Sequence, residues 1–176
     1  LSCTTRTSTS GPARHVVLDR TETLVATGSA DRTARVFDTR RGLVCTHNFK
    51  HDGVVTVVAF GSSSRSLTLA TACETFAVTL WDLHTKAKVA VIAEHVAGVS
   101  DLVFADDVLI TASHDETIGF WNRDDGSPAR ARINAREQIE AIAVLQKGKY
   151  CRFATAGSDG LVKTWTVSSS SSSPSG

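Results

Sequence analysis

The sequence predicts an all-β fold built from a repeated hairpin unit. The run DVLITASHDETIGFWN, at 107–122, joins two alternating apolar and polar stretches through an acidic turn, which is the pattern of a β-hairpin. Similar runs occur at 24–38, 67–82 and 153–166. Because the pattern returns at a long and regular interval, we interpret the chain as a repeat protein.

The spacing of the aromatic anchors indicates which repeat it is. Phe37, Trp81, Trp121 and Trp165 are separated by 44, 40 and 44 residues. Four-stranded propeller blades repeat at about 40 to 45 residues, whereas tetratricopeptide and ankyrin units are shorter. Val, Ile, Thr and Phe dominate the runs and favour strands. The segment 133–145 has a helix-forming composition, but it stands where a strand is due, so we predict a strand there.

The repeat divides the chain into four blades between two polar tails. The blades cover about 15–49, 50–92, 93–133 and 134–167, and the Ser-rich segments 1–14 and 168–176 are expected to be disordered. Alternating runs bounded by turn residues predict strands at 15–18, 24–27, 34–37 and 43–49, then 54–60, 67–72, 77–81 and 86–92, then 99–104, 108–112, 117–121 and 129–133, and finally 139–145, 152–156 and 162–166.

The last blade therefore lacks its outer strand in this prediction. Four antiparallel blades with one incomplete do not form the usual closed ring, and an open stack leaves blade faces and an edge strand uncovered. The chain also contains no Met. We expect it to be a fragment of a larger propeller, with closure through a second copy as the alternative.

Composition excludes some function classes. Hydrophobic residues make up 41% of the chain and its formal net charge is +1, so bulk charge gives no reason to expect nucleic acid or an anionic membrane as the partner. There is no apolar run of 18 residues and no signal-peptide core. The cysteines at 3, 45, 73 and 151 are too far apart for CxxC metal sites, and we expect buried, reduced thiols in a reducing compartment.

Two longer runs resemble the WD40 repeat. HDGVVTVVAF (51–60) is followed by LWD (80–82), and EHVAGVSDLVF (94–104) is followed by SHDETIGFWN (113–122). The resemblance covers roughly 15–167 and implies a WD40-type β-propeller. It also implies that each blade satisfies its buried polar atoms through a relay of a His, a Ser or Thr, a Trp and a turn Asp.

The third blade has the full predicted relay. Its members are His95, Ser113, Asp115 and Trp121. The second blade has Cys73 and Thr75 at the Ser and Asp positions, the first has Phe37 for Trp, and the fourth has Ala135 for His and Gly157 for Ser. His, Ser and Asp together also suggest nucleophilic catalysis. Since the set recurs in degraded form from blade to blade, we interpret it as structural and predict no enzyme activity.

Metal, cofactor and RNA sites are weakly supported. The histidines at 15, 47, 84 and 114 have no ligand spacing, so we interpret them as exposed turn residues and predict no metal and no cofactor. Arginines at 130, 132 and 136 lie among acidic residues, so an indirect or weak RNA contact stays an alternative. We predict no membrane partner and no small-molecule substrate.

A narrower resemblance suggests a cellular role. HNFKHDGVVTVVAF, EQIEAIAVL and FATAGSDGLVKTW are similar to the transducin β-like tandem-propeller subunits of the UtpB part of the small-subunit processome. This resemblance implies a nucleolar, non-enzymatic scaffold in pre-rRNA processing, bound to sister WD40 subunits. The alternative is a peptide-motif or phosphodegron receptor of a ubiquitin-ligase-type complex, with a cytoplasmic location as the alternative to the nucleolus.

Propellers bind partners through protruding loops at one end. The candidate contact residues in those loops are Arg32, Lys50, Glu74, Glu94, His114, Glu116, Arg136 and Glu137.

Overall fold

The structure, a computed structural model, describes residues 8–62, 67–146 and 150–168. In these residues, fifteen β-strands form four separate antiparallel sheets. The predicted all-β fold is therefore confirmed. The outermost parts of the two predicted tails, 1–7 and 169–176, lie outside the described residues.

Each sheet is one blade, and its strands follow the chain order. The first blade contains β1 (Ala13–Leu18), β2 (Leu24–Ser29), β3 (Thr33–Asp38) and β4 (Val44–Lys50), with a 3-10 helix at Thr39–Arg41. The second contains β5 (Val55–Ser62), β6 (Leu67–Cys73), β7 (Val78–Asp82) and β8 (Lys88–Ile92). The third contains β9 (Val99–Ala105), β10 (Val108–Ser113), β11 (Thr117–Asn122) and β12 (Ile133–Asn134).

The fourth blade contains β13 (Ile139–Gln146), β14 (Tyr150–Gly157) and β15 (Val162–Ser168). In the described part of the chain this sheet has three strands, as the sequence predicted. The segment 133–145 contains β12, a loop at 135–138 and most of β13, and it forms no helix despite its helix-forming composition. Its position beside β9 and β14, where a strand completes the packing, outweighs the local propensity.

The first strand of each blade packs against the first strand of the next. β5 lies between β1 and β9, and β9 packs against β13. A buried apolar cluster fills each of the three blade–blade interfaces. The four blades therefore form one continuous stack, in which the main packing contacts join neighbouring blades.

Each interface places small side chains against large ones. Ala70 and Ala72 of the second blade are fully buried against Phe104 and Trp121 of the third. A Cβ atom at Gly61 would lie 2.8 Å from the Phe104 ring, so glycine is needed for this close approach. Truncating a buried aromatic residue of this kind to alanine typically costs about 3 to 5 kcal/mol.

The outer strand of the third blade is shorter than predicted. The sequence predicts a strand at 129–133, but the structure has only Ile133–Asn134 and a single bridge at Pro128. Proline has no N–H to donate to a ladder. The guanidinium of Arg130 also lies 5.4 Å from the centre of the Phe120 ring, so this segment packs by its side chain instead of pairing as a strand.

The predicted disorder of residues 1–14 is wrong for their described part. The Ser10 amide donates to Oδ2 of Asp31 at 2.9 Å, and the Ser29 hydroxyl donates to the Gly11 carbonyl at 3.2 Å. Strand β1 begins at Ala13, two residues earlier than predicted. Turn and strand groups of the first blade hold this segment against the blade.

The described cysteines have different surroundings. Cys73 is buried, Cys151 is half-buried and Cys45 is exposed, while Cys3 lies outside the described residues. The expectation of burial is therefore wrong for Cys45. It lies on β4, an outer strand whose residues are mostly solvent-exposed.

Candidate functional site

The relay of the third blade runs from Trp121 on β11 to Asp115 in the β10–β11 turn. The indole N–H of Trp121 donates to Oγ1 of Thr111 at 3.0 Å, and that hydroxyl lies 2.7 Å from Nε2 of His95. Nδ1 of His95 lies 2.8 Å from Oδ2 of Asp115. The network assigns the ring proton to Nδ1, because Nε2 must accept the Thr111 proton. The four side chains form one directional chain of hydrogen bonds.

The structure joins three of the four predicted relay residues and replaces the fourth. The hydroxyl between His and Trp belongs to Thr111, whereas the sequence predicted Ser113. The Ser113 hydroxyl donates to the Gly98 carbonyl at 3.0 Å and accepts the Asp115 amide at 3.1 Å, so it ties the turn to the loop before β9. A Cβ at Gly119 would lie 2.6 Å from Oγ1 of Thr111. This glycine lies opposite Thr111 in the ladder. The sequence signal for the deeper hydroxyl was the recurrence of threonine at this blade position, since Thr71 and Thr155 also accept a Trp bond.

The His95–Asp115 pair is sealed from solvent. Their side chains are 0% and 3% exposed. Burial raises the pKa of Asp115, but hydrogen bonds from Thr117, His95 and the Val96 amide outweigh it and lower that pKa to about 2. A catalytic histidine must reach its substrate. Because His95 is inaccessible to solvent and does not contact Ser113, this geometry favours a structural hydrogen-bond network over a catalytic triad.

The second blade has the same relay without the acid. His51 lies 2.8 Å from Oγ1 of Thr71, and Trp81 donates to the same oxygen at 3.0 Å. Nδ1 of His51 faces the Phe49 carbonyl at 3.2 Å, where the third blade has a carboxylate. Burial lowers the pKa of His51. This histidine is therefore held in its neutral form.

At the predicted Asp position of the second blade, Thr75 pairs with the thiol of Cys73 at 2.9 Å. This local pair occupies the turn without reaching the His51–Thr71–Trp81 chain. Cys73 and Thr75, at the predicted Ser and Asp positions, thus remove the acid from the end of the relay but leave the His–Thr–Trp chain intact.

The fourth blade retains the Trp bond and replaces the rest. Trp165 donates to Thr155 at 2.9 Å. In place of the histidine, the carboxylate of Glu137 lies over Gly157, where a Cβ would be 2.5 Å from its Cδ. Lys163 Nζ lies 2.6 Å from Oε1 of Glu137. The smaller residue at the Ser position therefore makes room for the buried carboxylate of Glu137, which pairs with the partly exposed Lys163.

Glu137 is thus not an exposed contact residue, as the sequence predicted, because it is only 7% exposed. Lys163 also pairs with Asp159 at 3.1 Å. A hydrogen bond with the Glu137 side chain, then the Leu161 amide and Lys163, lower the pKa of Asp159 to about 2. The glycine at 157 was a signal in the sequence that a neighbouring side chain fills this space.

Two histidines predicted to be exposed in turns lie on strands instead. Nε2 of His47, on β4, is 2.8 Å from the Leu83 carbonyl of the next blade. Nδ1 of His15, on β1, accepts the Val58 amide at 3.4 Å. Both side chains connect neighbouring blades, a role that repeat spacing alone did not reveal.

The remaining contact candidates lie at one end of the stack, which we call the loop end. It consists of the β2–β3, β6–β7, β10–β11 and β14–β15 turns and the loops before β5, β9 and β13. Backbone bonds join these segments: His51 N donates to Arg32 O, and Ala135 N donates to Glu116 O. The exposed candidates are Arg32, Lys50, Glu74, Glu94, Glu116 and Arg136, and the His114 side chain is 40% exposed.

Most arginines of the predicted RNA-contacting series are engaged within the chain. Arg130 packs on Phe120, and Arg132 lies 3.7 Å from Glu94. Of the series, Arg136 is the fully exposed member at the loop end. The geometry therefore gives no continuous cationic surface from these three side chains.

A pocket of about 380 Å³ opens at the loop end between the second and third blades. It brings together Glu74 and His114, which the sequence predicted separately. The sequence analysis missed Phe76 and Glu140, which also line it. Phe76 occupies the turn position of Arg32, Glu116 and Gly160, at the same intervals as the aromatic anchors. A phenylalanine at a turn position that is otherwise polar or glycine was the available signal.

The described residues contain no group of three or more His, Cys, Asp and Glu side chains able to hold a metal ion. No helix within the described ranges is long and apolar enough to cross a membrane.

Known proteins with similar sequences share the repeat. The WD domain, G-beta repeat family model matches residues 2–38. Transducin beta-like protein 3 of Bos taurus is 28% identical over 170 residues, which are 90% of this chain and 21% of that protein. The human protein of that name is also 28% identical, over 171 residues. Nuclear distribution protein nudF of Aspergillus niger is 28% identical over 154 residues, 85% of this chain and 34% of that protein. The chain thus spans a fifth to a third of these relatives.

Two solved structures share the fold. The computationally designed Ika4 protein superposes with a TM-score of 0.75 and 19% identity, covering 91% of this chain and 94% of that one. The structure of U3-55K superposes with a TM-score of 0.80 and 19% identity, covering 92% of this chain and 50% of that one. These likenesses confirm the predicted β-propeller fold. The family match at 2–38, the sequence identity to these relatives and the repeated Thr–Trp bond support the resemblance to WD40 repeats predicted from the sequence.

Proposed function

We propose that this chain is a non-enzymatic scaffold that binds other proteins through its loop end. The observation that carries the proposal is the clustering of seven predicted contact residues, exposed or half-exposed, at one end of a stack of rigid blades. Side chains on turns that are fixed by ladders and relays are presented with little loss of conformational freedom on binding. This is the arrangement that a multi-partner scaffold requires.

The finer role we propose is in the small-subunit processome, as a nucleolar subunit in pre-rRNA processing and ribosome biogenesis. The likeness to transducin beta-like protein 3 supports it, together with the runs that resemble the tandem-propeller subunits of that assembly. Under this proposal the direct partners are sister WD40 subunits. Any RNA contact is indirect or weak, since Arg130 and Arg132 are engaged within the chain.

The test is affinity purification of the tagged protein, expressed in cells at its natural level, with and without ribonuclease. We expect mass spectrometry to recover small-subunit processome proteins, and we expect them to persist after ribonuclease because protein surfaces hold them. Loss of all partners on ribonuclease treatment would contradict a protein-bound scaffold. Recovery of cullin-type ligase components with one phosphorylated client would favour the receptor alternative.

A charge-reversal pair locates the binding end. The loop-end variant combines Arg32→Glu and Glu116→Lys. The matched control combines Glu22→Lys and Lys86→Glu, two exposed residues in turns at the opposite end of the strands. We expect the first variant to lose partners and the control to keep them. The reverse result would place the binding surface at the other end.

A further inference from the structure

The pocket between the second and third blades has an apolar floor and a charged rim. Val57, Val99 and Cys73 line it and are each 5% exposed. The exposed carboxylates of Glu74, from the second blade, and Glu140, from the fourth, lie among the lining residues. Three blades therefore contribute to one concave site, whose volume is in the range of small-ligand pockets.

The acidic rim is not neutralised from within. Among the described residues, no lysine or arginine forms an ion pair with Glu74 or Glu140, whereas Glu94 and Glu137 each have such a partner. Glu140 contacts only the ring of His114, at 3.4 Å, and this ring is itself partly exposed. The pocket thus presents two carboxylates to a cation from outside, and it repels phosphate and acidic side chains.

An aromatic ring completes the rim. Phe76 is 40% exposed although it lines the pocket, and its backbone is left-handed with φ of 67°. A guanidinium can stack on such a face while it bonds to carboxylates through its fork of N–H donors. A lysine ammonium is a more strongly hydrated point charge and gains less from this combination.

We infer that this pocket binds the arginine side chain of an extended segment of a partner protein, with Glu74 and Glu140 holding the guanidinium and Phe76 stacking on it. The inference rests on the proposed function, because the occupant belongs to a protein partner. It assigns that partner a basic chemistry, in contrast to the phosphorylated client of the receptor alternative.

The test uses the 176-residue chain and acetyl-Gly-Arg-Gly-amide as the probe. Amide chemical shifts are followed by two-dimensional NMR during titration. We expect saturable shifts at Phe76 and Gly98, both in the pocket lining. Because the two ion pairs are partly exposed, Glu74→Gln with Glu140→Gln should weaken binding by about tenfold. The control is Glu22→Gln, which removes one exposed carboxylate at the opposite end of the strands and should leave the affinity unchanged.

The same peptide with citrulline keeps the shape of arginine without its charge. Saturable binding of the arginine peptide and none of the citrulline peptide supports the inference, whether or not the double variant folds. Equal binding of the two peptides, equal weakening by Glu22→Gln, or shifts spread over the whole surface would overturn it.

Failure of this inference is separable from failure of the proposed function. If the tagged protein carrying Glu74→Gln and Glu140→Gln keeps its partners and the arginine peptide does not bind, the pocket assignment is overturned and the scaffold stands. If the unmodified protein recovers no protein partner, the scaffold function fails independently of the peptide result.

Discussion

The second and third blades contain the same His–Thr–Trp chain but end it differently. In the third blade His95 reaches the carboxylate of Asp115, whereas in the second blade His51 reaches the Phe49 carbonyl. Both tryptophans still lie 3.0 Å from their threonine. The comparison teaches that the His–Thr–Trp part of the relay suffices to position the Trp, and that the acid adds a charged hydrogen-bond acceptor at the turn.

The largest expected effect comes from removing the acid. Asp115→Ala deprives His95, Thr117 and the Val96 amide of a charged acceptor, and we expect it to lower the free energy of unfolding by about 2 to 4 kcal/mol. Thr75→Ala, at the same position of the second blade, loses only a thiol contact and should cost less than about 0.5 kcal/mol. Urea unfolding followed by tryptophan fluorescence measures both. Equal losses would refute the distinction between the blades.

A smaller effect is expected from adding the acid to the second blade. Thr75→Asp places a carboxylate where it can accept from Nδ1 of His51, and we expect it to raise the pKa of His51 and stabilise the chain by about 1 kcal/mol. Titration of the His51 ring protons by NMR measures the shift. In a His51→Ala background the gain in stability should disappear. A pKa that stays lowered would show that the carboxylate does not reach the ring.

The smallest effect concerns pH. The folded pKa of His51 lies below its unfolded value of 6.5, so its contribution is full above that pH and declines as the pH falls through 6.5 toward the folded pKa. For Asp115, the contribution is present above its unfolded value of 3.8 and is lost as the pH falls toward about 2.

Between about pH 7.5 and 5.5, we therefore expect local opening to increase a few-fold more in the second blade than in the third. Amide hydrogen exchange at Thr71 and Thr111, corrected for the intrinsic pH dependence, measures the difference. The Thr75→Asp variant is the internal control, since it should suppress the acid sensitivity of the second blade. Identical changes at both sites would contradict the assignment.

Much of the fold was predictable because the aromatic anchors recur once in each blade, so their spacing indicates the repeat. The anchors at 44, 40 and 44 residues fix which strands face the neighbouring blade, so the stack and the incomplete fourth sheet followed from the sequence. The outer strand of the third blade did not follow. Its pattern suits a strand, but pairing there is limited to the bridge at Pro128 and a backbone bond from Ala129, and the Arg130 side chain packs on Phe120.

The site was less predictable, because its contacts depend on how far side chains reach between strands, whereas the sequence shows only the periodicity along each strand. Thr111 and Ser113 share one face of β10, and only the reach of the Trp121 indole selects between them. Glu137 is a charged residue in a loop and would be expected on the surface. Because Gly157 has no side chain, however, the carboxylate of Glu137 fills the space beside it. In both cases the deciding neighbour lies on another strand, Trp121 on β11 for Thr111 and Gly157 on β14 for Glu137, and periodicity within one strand does not include it.

The tips of the β2–β3, β6–β7, β10–β11 and β14–β15 turns have one further consequence. Their residues Arg32, Phe76, Glu116 and Gly160 all adopt left-handed backbone, with φ of 63°, 67°, 67° and 76°. That conformation costs a non-glycine residue about 1 kcal/mol or more, and only the fourth blade avoids the cost. At each of the other three tips, a glycine would relieve the backbone strain and raise the thermal stability, but it would also remove the side chain that the surface presents. A library that varies these three residues would change which partners the loop end recognises. A variant with glycine at all three positions would be more stable, but its turn tips would have no side chains to contact a partner.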